Sequence, residues 1–263
     1  MSPSLPPEIL DLIVDHLHDE PIALKACCVV SKSWVHRTRN HLFARVKFSV
    51  PGSRIERWKK AFPDPSNSPA HHVRSLSIRY KSAVAATDVG GWVHPFHNLT
   101  HLRLESLDWG GSLSSLVPFH GLSPTLRSLS LRVAYLEVLD LICSFPLLED
   151  LTLLSLRRES NVWNTPLTSP KLTGSLNLRA VDGIRPAARR LLDLPNGLHF
   201  AKIMIVCHDE DVESTMGLVS RCSNTLESLD ISYYAPGAFP PASTSGQCLT
   251  TPHGCSHIWN TSA

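Results

Sequence analysis

"LRSLSL", residues 126–131, is the stretch on which the fold turns. Leu129 and Leu131 alternate with serines at the period of an extended strand, so both point to one side. The phrase recurs upstream as "VRSLSI" from Val73 and "LTHLRL" from Leu99, and downstream as "LEDLTL" from Leu148. Less perfect copies follow as "TGSLNL" from Thr173, "FAKIMI" from Phe200 and "LESLDI" from Leu226. Their central apolar positions are Leu76, Leu102, Leu129, Leu151, Leu176, Ile203 and Leu229, with spacings of 26, 27, 22, 25, 27 and 26 residues.

A period of roughly 20–29 residues carrying L-x-x-L-x-L resembles the leucine-rich repeat. In such an array each strand buries its apolar face only against its neighbours, and the strands stack in parallel. The chain between strands must return on the opposite, convex side. "AYLEVLDLICSF", "RPAARRLLDL" and "DEDVESTMGLVSRC" read as helical returns, whereas "VGGWVHPFHN" reads as irregular turns. The asparagine ladder of regular leucine-rich families is missing, and the repeats resemble the divergent ones found behind F-boxes in fungal and plant proteins. Ordinary βαβ units in an open sheet are the alternative reading, without glycine-rich phosphate turns to support it.

Upstream of the repeats, "LPPEILDLIVDHL" (Leu5–Leu17) opens a helix with prolines in its first turn, where the missing N–H costs nothing. Glu8 and Asp11 suit the positive end of the helix dipole. Ile9, Ile13 and Leu17, with Leu10 and Val14 alongside, form a wide apolar stripe. Asp19 or Glu20 with Pro21 starts a second helix, with Leu24, Cys27 and Cys28 on its apolar face. Ser31 or Ser33 caps a third, anchored by Trp34, Leu42 and Phe43. Three helices in about 45 residues are marginal on their own and need a partner or a following domain.

Leu5-Pro6-Pro7-Glu8-Ile9, Ile13, Leu17, Leu24, Val30-Ser31-Lys32-Ser33-Trp34 and Leu42-Phe43 together resemble the F-box motif. In that family the three helices dock onto a Skp-type adaptor that connects to a cullin–RING ubiquitin ligase. The resemblance implies that Pro6, Ile9, Leu10, Ile13, Leu17, Leu24, Val30, Ser31 and Trp34 face the adaptor or support that face. Some of them must instead form the bundle's own core, and sequence does not divide the two sets. Cys27-Cys28 departs from the larger aliphatics frequent there but keeps apolar character. A small bundle that merely caps the repeats is the alternative.

The expected architecture is an α+β solenoid: a three-helix F-box over residues 4–48, then a linker with one short helix over 49–70. An α/β leucine-rich-repeat solenoid follows over 71–235, with a parallel sheet of about seven short strands. Within the linker the helix is expected around Ile55 to Phe62, where Trp58 and Phe62 can pack the bundle against the first repeat. Residues 236–263 turn rich in Ser, Thr, Pro and Gly, a composition that buries too little apolar surface to order itself. They are expected to be a disordered tail or a truncated end.

On the concave face the strands present Ser77 and Arg79, Arg103 and Glu105, Ser130 and Arg132, Thr152 and Leu154, Asn177 and Arg179, then Met204, Val206, Asp230 and Ser232. Arg79, Arg103, Arg132 and Arg179 are candidate receivers of an acidic or phosphorylated segment of a protein target. Alternatively they are solvated strand residues that keep the sheet soluble.

Chemistry of other kinds finds little support. With 25 basic and 23 acidic residues the formal charge is +2, which offers no nucleic-acid footprint. No apolar run is long enough for a bilayer span, and the prolines and acids at the start argue against a secretory signal. Seven cysteines, an odd number with Cys27 and Cys28 adjacent, suggest no disulfide framework and a cytoplasmic or nuclear setting. "HGCSH" (His253–His257) with Cys248 is the densest metal-ligand cluster but lacks zinc spacing, so no metal and no cofactor are expected. No phosphate loop, nucleophile elbow or zincin motif occurs, so the chain is expected to be a non-catalytic subunit. The resemblance therefore implies a substrate-recognition adaptor of an SCF-type (Skp–cullin–F-box) E3 ubiquitin ligase. A non-ligase scaffold that binds partners without cullin is the runner-up.

Overall fold

The computed structural model describes residues 6–64, 67–80, 95–106, 119, 122, 124–132, 141–154, 170–179, 184–207, 211–233 and 257–259. Three helices come first: α1 (Pro7–His16), α2 (Pro21–Val30) and α3 (Lys32–Leu42). Prolines stand in the first turns of α1 and α2, as expected of residues with no N–H to satisfy. Glu20 takes the cap position of α2, but its side chain accepts no capping bond. At α3 the Ser31 hydroxyl accepts the Ser33 N–H at 3.3 Å. Both α1 and α2 pack on α3.

Few apolar groups are buried among these helices: Val14, Leu24 and Cys27 are, beside Thr38. Polar bonds supplement that small core. Asp15 of α1 accepts from Arg37 Nε at 2.6 Å and from Arg37 Nη2, and its Oδ1 lies 2.7 Å from His41 Nε2. The Arg37 and His41 hydrogen bonds hold the Asp15 carboxyl well below its ordinary range.

The rest of the described chain forms one sheet of nine strands in sequential order. They are β1 (Arg45–Val50), β2 (Ser75–Tyr80), β3 (His101–Ser106), β4 (Ser128–Arg132), β5 (Asp150–Leu154), β6 (Ser175–Arg179), β7 (Lys202–Cys207), β8 (Ser228–Tyr233) and β9 (His257–Trp259). Strands β1 to β8 pair in parallel, and β9 pairs antiparallel with β8. Leu76, Leu102, Leu129, Leu151, Leu176, Ile203 and Leu229 lie side by side across the sheet, the register their spacing predicts. A second inward row runs Phe48, Ile78, Leu104, Leu131, Leu153, Leu178, Ile205 and Ile231. Nearly all of these side chains are buried in one continuous core.

Two expectations need correcting. The sheet begins at Arg45, inside the stretch assigned to the end of the F-box and the linker. The strand "RVKFSV" buries Phe48 and Val50 with period-two alternation but lacks the leading leucine of the repeat phrase. The parallel strands therefore number eight among the described residues, not about seven. At the other end, 257–259 of the supposed disordered tail form β9. The remainder of 236–263 lies outside the described residues.

Main-chain bonds hold the corners that lead into successive strands. The carbonyls of Ala44, Arg74, Thr100, Arg127, Gly174 and Ala201 each accept two consecutive N–H groups from the next coil. Between β5 and β6 the device changes: Asp150 Oδ1 accepts both the Ser175 N–H and hydroxyl at 2.7 Å. A Cβ on Gly174 would lie 2.4 Å from that same oxygen, so glycine leaves the carboxylate room to make these bonds.

On the core side, α4 (Ser53–Ala61) buries Ile55 and sets Trp58 among Phe43, Phe48, Phe62 and Phe96, with ring centroids 5.0–6.0 Å apart. Phe43 ends α3 and Phe48 belongs to β1, so this aromatic cluster joins the helical region to the sheet. The two clearest helical returns are present as α5 (Ile184–Leu192) and α6 (Val212–Cys222), which pack on each other. Of "AYLEVLDLICSF", residues 141–144 form a 3-10 turn and 134–140 lie outside the described residues.

Candidate functional site

Two surfaces stand out, one on each region. The first is aliphatic. On α1, Ile9, Leu12 and Ile13 are 43%, 55% and 42% exposed. On α2, Ile22, Val29 and Val30 are 83%, 87% and 71% exposed, with Ala26 also on the outside. Residues i, i+3 and i+4 share a helix face, as do i, i+4 and i+7, so each helix carries an outward apolar ridge. Exposed aliphatics clustered in this way mark an interaction site more often than a lone surface leucine does.

The structure thereby divides the set that sequence left undivided. Pro6, Ile9, Ile13 and Val30 are exposed, while Leu10, Leu17, Ser31 and Trp34 are half-buried. Leu24, at 1% exposure, is one of those that form the bundle's own core. Leu12, Ile22 and Val29 were missed. The i, i+4, i+7 spacing of Ile22, Ala26 and Val29 was legible, but the same helix reads equally well with Leu24 and Cys27 facing out. Packing against α3 chooses between the two faces.

The second surface is the solvent face of β1, β2 and β3. A pocket of about 530 Å³ is lined there by Lys47, Ser49, Arg54, Ser77, Arg79, Arg103 and Glu105, among others. Glu105 is its organiser. The residue is 6% exposed, and its two carboxylate oxygens are divided between two arginines. Arg79 Nε donates to Oε2 at 2.7 Å, and Arg103 Nε donates to Oε1 at 2.7 Å. Burial pushes the Glu105 carboxyl up, but the Arg79 and Arg103 bonds and charges outweigh it and hold it below its ordinary value. The glutamate is thus ionised, and both guanidiniums are pinned while their side chains stay more than half exposed.

Of the four arginines singled out from sequence, the fold brings Arg79 and Arg103 together around Glu105. Arg132 and Arg179 share the row of Arg79 across the sheet but do not line the pocket. Arg179 instead sets Nη2 3.2 Å from Met204 Sδ. Lys47 and Arg54 were missed. The first lies on the strand that sequence placed at the end of the F-box; the second lies on α4, which only the tertiary fold sets beside the sheet.

Among the described residues no three His, Cys, Asp or Glu side chains are grouped to hold a metal ion, and no helix is long and apolar enough to cross a membrane. Cys27, Cys28, Cys143, Cys207 and Cys222 are in no disulfide. Cys248 and His253 of the tail cluster lie outside the described residues. No protein-family model matches the chain, and no curated protein matches it in sequence.

Proposed function

We propose that the chain is the substrate-recognition adaptor of an SCF-type E3 ubiquitin ligase. The α1–α3 region takes the F-box role and docks on a Skp-type adaptor, while the sheet, in the role of a leucine-rich-repeat solenoid, holds the target protein. The chain itself contributes no catalysis; ubiquitin transfer belongs to the assembled cullin–RING complex. The observation that carries this reading is the aliphatic ridge of Ile9, Leu12 and Ile13 on α1 and Ile22, Val29 and Val30 on α2. Burying these side chains against a partner is favourable by up to about 1.5–3 kcal/mol for the most exposed, Ile22 and Val29, and by less for Ile9 and Ile13, which are already more than half buried. The Trp58 cluster adds a second support, because a fixed link between docking helices and sheet would hold a target at a defined distance from the ligase.

The test is a pull-down of the full chain with a purified Skp-type adaptor, beside an Ile9→Asp, Ile13→Asp double variant. The parent is expected to bind and the still-folded variant to lose binding, since an unpaired carboxylate in an apolar interface is strongly disfavoured. A well-folded parent that does not bind would sink the proposal. Adaptor binding without co-purifying cullin in cells would replace the ligase by a scaffold.

A further inference from the structure

We infer that the Lys47–Arg54–Arg79–Arg103 pocket is an oxyanion site, which holds a phosphate or carboxylate side chain of an extended segment of the target protein. The inference rests on the adaptor reading only for the identity of the larger protein that carries the segment. Four features of the pocket lead to it.

The first is charge. The lining has four cationic side chains and one carboxylate, while the chain as a whole is nearly balanced. Neither Lys47 nor Arg54 forms an ion pair among the described residues, so their charge is not used to hold the fold. The second is fixation. Glu105 engages the Nε of Arg79 and both the Nε and Nη2 of Arg103, which sets each planar fork in place before a ligand arrives. Each guanidinium held in this way keeps its Nη1 N–H groups for a phosphate or carboxylate, and the two forks side by side can receive one oxyanion together.

The third is shape. Lys47, Ser77 and Arg103 are direct neighbours across β1, β2 and β3, with Ser49, Arg79 and Glu105 in the next outward row. Parallel strands lie about 4.8 Å apart, so Lys47 and Arg103 are separated by roughly 10 Å at the backbone, with the Ser77 side chain between them. That leaves a floor of short hydroxyl side chains walled by long cations, wide enough for one oxyanion and the backbone on either side of it. The fourth is density of charge. Beyond this pocket the same two rows carry lone arginines, Arg132 and Arg179, with Leu154 between them, whereas four cations converge here.

Fluorescence anisotropy on the full chain tests the inference with three labelled Gly-Ser peptides of equal length. One carries a central phosphoserine, one a central run of glutamates and one serine alone. The phosphoserine or glutamate peptide is expected to bind and the serine peptide not to. Whichever anionic peptide binds names the source of the oxyanion, and competition by inorganic phosphate shows that the anion itself is recognised. Lys47→Glu with Arg54→Glu should weaken binding by about tenfold or more, and leaves no buried charge unpaired. Arg132→Glu with Arg179→Glu reverses as much charge outside the pocket and should leave affinity nearly unchanged. Failure of both anionic peptides to bind, or equal loss in the two double variants, overturns the inference. The Lys47→Glu, Arg54→Glu chain should still bind the Skp-type adaptor, so the two proposals fail separately.

Discussion

The helical region and the sheet are both rich in aliphatic side chains, yet they place them in opposite ways. Across β2 to β7 the two inward rows are buried to 2% exposure or less, and each side chain meets a leucine or isoleucine on the next strand. In α1 and α2 the burial of Val14 and Leu24 contrasts with Ile9, Ile22, Val29 and Val30, which stand in solvent. The sheet therefore uses its apolar surface to fold. The helices hold theirs available, and rely on the Asp15–Arg37–His41 network and on the Trp58 cluster to stay in place.

That contrast can be broken at three points. Leu129→Ala should have the largest effect on stability, a loss of about 2–5 kcal/mol measured by urea unfolding, because it opens a cavity in the middle of a fully packed row. A loss below about 1 kcal/mol would mean that the repeats are loosely packed and that the sheet resembles the helices more than its burial indicates.

A smaller effect is expected where the two regions meet. His72, in the 3-10 turn before β2, packs against His71 and against His36 of α3 at ring-centroid distances of 3.8 and 5.5 Å. Burial, reinforced by the nearby His71, His36 and Arg39, lowers its pKa from 6.5 to about 4. Between these values the unfolded chain binds the proton and the folded chain refuses it. Stability is therefore complete above pH 6.5 and falls as the pH drops toward about 4. The loss should reach about 1–2 kcal/mol once solvent screening is allowed for. His72→Gln should flatten that part of the pH–stability curve; an unchanged slope would assign it to the other histidines.

The smallest effect on stability belongs to the ridge itself. Ile22→Ser with Val29→Ser should move the unfolding midpoint by less than about 0.5 kcal/mol, since both side chains are already in water. Adaptor capture should nevertheless fall. A strongly destabilised variant would show that these side chains serve the fold and would erase the difference between the regions.

Legibility from sequence follows the same division. A strand's inward face repeats every second residue, and a coil's returns repeat near every 26, so the seven central positions and their register could be read from spacing alone. Gly174 could not. Its role is to make room for the Asp150 carboxylate, 24 residues earlier in the chain, which replaces a main-chain corner bond there. Likewise Arg79, Arg103 and Glu105 were visible as residues of the open face, but not that Glu105 is buried and pins both arginines.

Sequence by itself determined the three N-terminal helices, the parallel order of the repeats and which leucines meet. Local rules suffice for these: first-turn proline, helical and strand periodicity, and near-constant repeat length act on neighbours in the chain. Only the tertiary structure decided that β1 begins the sheet, that Leu24 turns inward while Ile22 and Val29 turn out, and that Lys47 and Arg54 join Arg79 and Arg103. Each of these depends on which surfaces pack together, and an amphipathic pattern states that one face must be covered without stating by what.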